Sequence, residues 1–306
     1  MKKISLSIIA LVTMLPLCGN IYAQDTMRAM PVDGEMVRLQ ASSLWKLTQL
    51  PEVQMTQVEN VAQGLRFPSI SPDGSQIIMY DRIDDTKSRL VRYQSADRSL
   101  SVLLENDEAS PYVQWESDNR IAVRQPDKPF FQDGAKMKFD LTTSKRPLLR
   151  EKKRYVEENF IAYDADDVII LVRKDTQTLQ AISDTNADRY YAPMVSPDEK
   201  YVVFSGLTTG VHVFDIAKNA VVYIGKNGTS PSFSPDGRYL IYAITDDDGH
   251  VLTTGDLMLL DLETHSYRQI ANPTKEIRTR ASLSRSATSI AYETEDGRIF
   301  RADLLR

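Results

Sequence analysis

The chain has 306 residues, 42% of them hydrophobic and 26% charged, with 13 Gly and 14 Pro. That composition excludes a disordered, collagen-like or membrane-bundle chain and leaves room for a sizeable core. A formal net charge of −5 disfavours nucleic acid as a partner.

Met1, Lys2 and Lys3 precede an apolar run from Ile4 to Leu17 that is broken by Pro16. Crossing a bilayer takes about 20 apolar residues, so no transmembrane span is expected. The run reads instead as a secretory signal, residues 1–23, with Ile21-Tyr22-Ala23 before the cut and cleavage after Ala23. The alternative, a lipoprotein signal through Cys18, has Leu17 where a small residue is wanted. Either way a periplasmic or exported location is expected. Cys18 is the single cysteine, so a chain cut after Ala23 can hold no disulfide, no thiol nucleophile and no Cys-ligated zinc. Residues 24–35, with Gly, Pro and charge but little periodicity, are expected to be a flexible tail. One domain is expected over 36–306.

A phrase recurs after this tail. It stands as Pro68 to Gly74, Pro193 to Glu199 and Pro231 to Gly237, with Ser71-Pro72-Asp73-Gly74, Ser196-Pro197-Asp198-Glu199 and Ser234-Pro235-Asp236-Gly237 at its centre. Weaker copies stand at Trp115–Asn119, around Asp164 and at Leu283–Ser286. Proline presets φ, Asp hydrogen-bonds the backbone two residues on and Gly accepts positive φ, so the phrase predicts a hairpin turn. Each copy is followed by an apolar β-rich run, such as Ile77–Tyr80, Val202–Phe204 and Leu240–Ile244. Uninterrupted runs of this kind imply strands covered on both faces.

A second signature, Asp before an aliphatic residue, closes a later strand at Asp140-Leu141, Asp215-Ile216, Asp261-Leu262 and Asp303-Leu304. Four short strands per unit is the arithmetic of a propeller blade. Taking Ser71, Glu116, Asp164, Ser196, Ser234 and Ser284 as equivalent points gives intervals of 45, 48, 32, 38 and 50 residues, against roughly 40–45 for a blade. The expected fold is all-β, a six-bladed β-propeller whose short third blade is degenerate. The last unit has three strands before Arg306, so residues 53–58 are expected to pair near Ile299–Ala302 and close the ring, removing an exposed edge.

The Ser-Pro-Asp-Gly turns with their trailing strands resemble the repeat of the periplasmic TolB-type β-propeller, a relative of the WD-repeat propellers. The resemblance spans Leu65 to Arg306 and is strongest in units one, four and five. It implies a binding platform and identifies no partner.

No motif for catalysis stands out. His212, His250 and His265 lack metal-ligand spacing, and no Gly-x-Ser-x-Gly elbow, phosphate loop or His-Glu-x-x-His occurs. No catalytic residue, metal site or cofactor is therefore assigned. Asp246-Asp247-Asp248-Gly249 could offer oxygens to calcium, but reads first as a solvated turn. Lys145, Arg146, Arg150, Lys152, Lys153 and Arg154 form a basic cluster that reads first as a solvated strand and loop.

Propeller topology points to another set. Connections into the innermost strands gather at one mouth of the channel, so residues preceding each phrase are expected to converge. They are Arg66, Phe67, Tyr112, Glu158, Asn159, Arg189, Tyr190, Tyr191, Thr229, Arg278 and Arg280. Arginine forks suit carboxylates or phosphates and tyrosine supplies rigid contact area. The expected function is a non-catalytic binding module for an envelope protein or peptide, with a glycan as a further candidate. The alternatives are an enzyme acting on acidic oligosaccharides and a structural subunit of an envelope complex.

Overall fold

The computed structural model describes residues 46–47, 53–58, 64–84, 87–106, 113–124, 136–141, 149–150, 159–184, 186–272 and 274–304. The segments expected to be a signal sequence and a tail, Cys18, Tyr112, Glu158 and nearly all of the basic cluster lie outside them.

The described residues form strands and no helix. Two come first, β1 (Lys46–Leu47) and β2 (Val53–Gln57). A first meander follows: β3 (Arg66–Ile70), β4 (Gln76–Arg82), β5 (Ser88–Gln94) and β6 (Ser99–Asn106). A second comprises β7 (Val113–Ser117), β8 (Arg120–Arg124), β9 (Lys136–Asp140) and β10 (Leu149–Arg150). The third has three strands, β11 (Phe160–Ala165), β12 (Val168–Arg173) and β13 (Thr178–Ala181). The fourth is β14 (Tyr190–Val195), β15 (Tyr201–Gly206), β16 (Gly210–Asp215) and β17 (Ala220–Gly225). The fifth is β18 (Gly228–Phe233), β19 (Tyr239–Asp247), β20 (Leu252–Asp261) and β21 (Ser266–Ile270). The sixth is β22 (Arg278–Leu283), β23 (Ser289–Thr294) and β24 (Ile299–Leu304). Each meander is one antiparallel sheet, and the sheet of the third unit, short in sequence, is the one with three described strands, since β2 joins the sixth.

The repeated phrase builds the turn between the first two strands of its unit. Ser71, Ser196, Ser234 and Ser284 are all buried. In each case the serine N–H donates to the carbonyl five residues on, at Gln76, Tyr201, Tyr239 and Ser289. The serine hydroxyl accepts the N–H of that same residue at 2.9–3.0 Å. It also donates to Asp73, Asp198 and Asp236. Ser286 stands where a fourth Asp would be, which is why that copy was weak in sequence. The turn ends in a left-handed residue, Gly74 and Gly237 at φ 78° where glycine is available.

Strands behind these turns are covered on both faces: β16 and β23 are buried throughout, and Ile77, Ile78 and Met79 of β4 are fully buried. The cores lie between neighbouring sheets, since one cluster joins Val203 and Val213 to Leu240 and Tyr242 while another joins Ile241 and Leu259 to Ile290 and Tyr292. Sheets three and four share Ile169, Leu171, Phe204 and Phe214, and sheets one and two share Ile78, Leu90, Ile121 and Val123.

The first and last sheets also touch. Ile70, Ile77 and Met79 pack with Ala291 and Ile299. The N–H of Arg285 donates to the Pro72 carbonyl at 2.8 Å, joining the two turns directly, and Ile70 N–H donates to Ser282 Oγ at 2.9 Å.

The expected pairing of 53–58 with the last strand is present: Val53 lies opposite Leu304 and Gln57 opposite Phe300, antiparallel, and Val58 N–H continues to the Ile299 carbonyl. One pairing was not expected. Lys46 and Leu47 run parallel to Ser266 and Tyr267, so the segment before the first unit lies along the outer strands of sheets five and six in turn.

Candidate functional site

The innermost strands are interrupted where the phrase begins. Register shifts fall between Arg66 and Ser69, Tyr191 and Met194, and Thr229 and Ser232. Each spans a proline, Pro68, Pro193 or Pro231, which has no N–H for the ladder. The residue before it is left-handed: Phe67 at φ 54°, Ala192 and Ser230 at φ 52°. That conformation is uncommon for a bulky side chain, and such residues persist where surroundings over-determine them. The bulge turns Phe67 outward, 36% exposed despite its size.

A carboxylate holds Phe67 there. Glu293, at the end of β23, has a fully buried side chain. Its Oε2 accepts the Phe67 N–H at 2.7 Å. Its Oε1 accepts Arg280 Nη1 at 2.5 Å and Thr279 Oγ1 at 3.4 Å, with Arg66 Nη1 3.6 Å away. The Arg280 guanidinium lies 4.5 Å over the Phe67 ring, which stands nearly at right angles to Tyr80. Arg66 and Arg280 remain 43% and 40% exposed. Two cations therefore share one buried anion and present a net positive, partly apolar surface where sheets one and six meet.

Arg66, Phe67 and Arg280 are thus brought together, whereas Arg278 and Tyr190 are turned into the core. Arg278 is fully buried: Nη2 donates to Ile270 O at 2.8 Å and Asp256 Oδ1 at 3.2 Å, and Nη1 to Ala271 O at 3.1 Å. Burial holds its guanidinium below the usual arginine range. It is a tie between sheets five and six and, fully buried, presents nothing to the surface.

Tyr190 is likewise a core residue, its ring edge-on to Phe204 and His212. Burial, reinforced by the charges of Asp188 and Asp184, pushes its phenol up to about 12. Tyr191 is 44% exposed, and Arg189 pairs at 2.9 Å with Asp167 on the surface of sheets three and four. Asn159 is engaged by Glu199, which accepts its N–H and its side-chain amide, and Thr229 is half-buried.

Sequence reasoning missed the carboxylates that organise these groups. Glu293 follows the apolar run Ile290-Ala291-Tyr292. An acid ending a covered strand must find a cation or several donors, because burying a lone carboxylate is costly; that was the available signal. Asp188 is the second such group. Its Oδ2 accepts the N–H of Thr208 and Thr209 and the Thr209 hydroxyl, and its Oδ1 accepts the Arg189 N–H. Burial would raise its pKa, but these donors outweigh it and hold the carboxyl at about 2.

His212 stacks on Phe204 and shares a 2.7 Å hydrogen bond with Thr209, a buried packing role. The carboxylates of the 246–249 run serve their own turn: Asp247 accepts Gly249 N–H, Asp248 accepts those of His250 and Val251, and Asp246 accepts the Asn227 amide. Among the described residues no cluster of three or more His, Cys, Asp or Glu could hold a metal ion, and no helix is long and apolar enough to cross a membrane.

No family model and no curated protein matches the sequence. Solved structures share its fold. A chain in the crystal structure of a mitotic checkpoint complex superposes with a TM-score of 0.52 at 13% identity, covering 81% of this chain and 92% of that one. The β-propeller domain of Myceliophteria thermophila Cps50 (Swd1) matches with a TM-score of 0.43 at 12% identity, over 82% of this chain and 100% of that one. The C-terminal WD40 domain of Sif2 matches with a TM-score of 0.32 at 12% identity, over 78% and 69%. The described residues make an all-β protein of the β-propeller kind, and its likeness to these structures is one of fold.

Proposed function

We propose that this chain is a non-catalytic, exported binding module, a six-bladed and TolB-like propeller that recognises a protein or peptide of the cell envelope through one mouth of its channel. The series of neighbouring sheets, second to first to sixth to fifth to fourth to third, supports a ring in which β2 completes the last blade. The Met1–Ala23 segment supports export.

The observation that carries the binding role is the buried Glu293 presenting Arg66, Arg280 and a strained, outward Phe67. Strain and unspent cations at a surface have a physical rationale in recognition. The test is affinity capture from native envelope extract with the full chain and its Arg66→Glu and Arg280→Glu variants. Partners captured by the parent are expected to be lost from both variants. Capture that persists unchanged would overturn the role.

A further inference from the structure

Resting on that reading of the rim, we infer that the Arg66, Phe67 and Arg280 cluster takes an acidic side chain of an extended peptide segment whose neighbouring residue is apolar. The chemistry follows from which atoms are already used. Both Glu293 oxygens are spent inward, on the Phe67 N–H and on Arg280 with Thr279. The described cluster therefore turns two arginine side chains and an aromatic ring toward solvent.

Arg280 commits Nη1 to Glu293, leaving other N–H groups of its fork. Arg66, its side chain 43% exposed, stands 3.6 Å from Glu293, beyond hydrogen-bond length, and its guanidinium donates to no described residue. One carboxylate between the two forks would balance the excess positive charge left by Glu293. Beside them Phe67 offers an apolar edge whose backbone N–H is locked and whose φ is fixed at 54°, so its ordering cost is met before binding.

A sugar acid fits less well. The flat face of Phe67 that would stack on a sugar ring is covered on one side by the Arg280 guanidinium.

The test is selection of a random heptapeptide phage library against the full chain, then fluorescence anisotropy on the peptides recovered. The expected sequences carry Asp or Glu next to an aromatic or aliphatic residue. Changing that acid to its amide should weaken binding by about ten-fold or more. Arg66→Gln and Arg280→Gln should each do the same to the parent peptide, while adding little further loss to the amide peptide. These arginines are half-exposed, and an unchanged urea midpoint separates lost recognition from lost folding. Peptides without acid enrichment, acidic peptides bound equally by the Gln variants, or displacement by oligouronate more readily than by acidic peptide would each overturn the inference. If envelope partners are lost from the Arg→Glu variants while peptides show no acid preference, the inference falls and the binding role stands. If capture is also unchanged, both fall.

Discussion

Two carboxylates near the ends of inner-strand connections have been put to opposite uses. Glu293, where sheets one and six meet, spends itself on arginine side chains and leaves them half-exposed. Asp188, where sheets three and four meet, spends itself on the backbone N–H groups of Arg189, Thr208 and Thr209 and on a threonine hydroxyl. Nearby Arg189 turns away to Asp167 at the surface. The contrast teaches that a carboxylate at a junction between neighbouring sheets can either present charge or quench it. What decides is whether the donors that reach the carboxylate belong to mobile side chains or to a fixed loop.

The sharpest way to break the comparison lies two residues from the site. Arg278 and Arg280 share a strand, yet one is fully buried and the other 40% exposed. Arg278→Ala would strand the Ile270 and Ala271 carbonyls and open a cavity under Tyr292, over whose ring the guanidinium lies at 5.6 Å. A loss of about 3–5 kcal/mol in urea unfolding is expected, against about 1 kcal/mol or less for Arg280→Ala. Equal effects would mean that burial does not divide a structural arginine from a presenting one.

Next in size is Glu293→Ala. It removes the acceptor of the Phe67 N–H and the counter-charge of two arginines. Because those arginines can hydrate, the loss is expected near 2 kcal/mol rather than the full penalty of a broken buried pair. The same measurement on the Glu293→Gln variant should recover part of it, since an amide oxygen can still accept the Phe67 N–H.

Asp188 allows a smaller test with a definite sign. Its folded pKa, about 2, lies below the ordinary 3.8, so the ionised form adds stability above about pH 4 that is lost as pH falls through 2. After allowance for solvent screening, about 1 kcal/mol is expected. Unfolding midpoints of the parent and of Asp188→Asn, compared at pH 6 and pH 2.5, should draw closer at the acid end. A gap independent of pH would assign the role of Asp188 to shape alone.

What could be read from the sequence was what repeats. Ser71, Ser196 and Ser234 announce their turns because each needs the same hydroxyl and carboxylate in the same place. The pairing of 53–58 could be anticipated because a three-stranded last unit leaves an edge open. The parallel contact of Lys46 and Leu47 could not, since two residues carry no periodicity. Arg278 and Arg280 are alike as letters, and only the depth of the strand separates them. Glu293 stayed hidden because two of its partners, Arg66 and Phe67, lie in another sheet, 226 residues away in the case of Phe67.

The smallest effect belongs to Arg189→Gln. Its ion pair with Asp167 joins side chains 68% and 54% exposed, so the Coulomb gain is largely cancelled by hydration and lost rotamer freedom. A change within about 0.5 kcal/mol is expected in urea unfolding, with little dependence on salt because so little is there to screen. A larger loss would mean that Asp167, which lies at φ 66° and whose carbonyl accepts the Tyr190 N–H, depends on the guanidinium to hold the turn. The third and fourth sheets would then be joined by a side-chain device of the same kind as the first and sixth, and the opposition between the two carboxylates would reduce to a difference of degree.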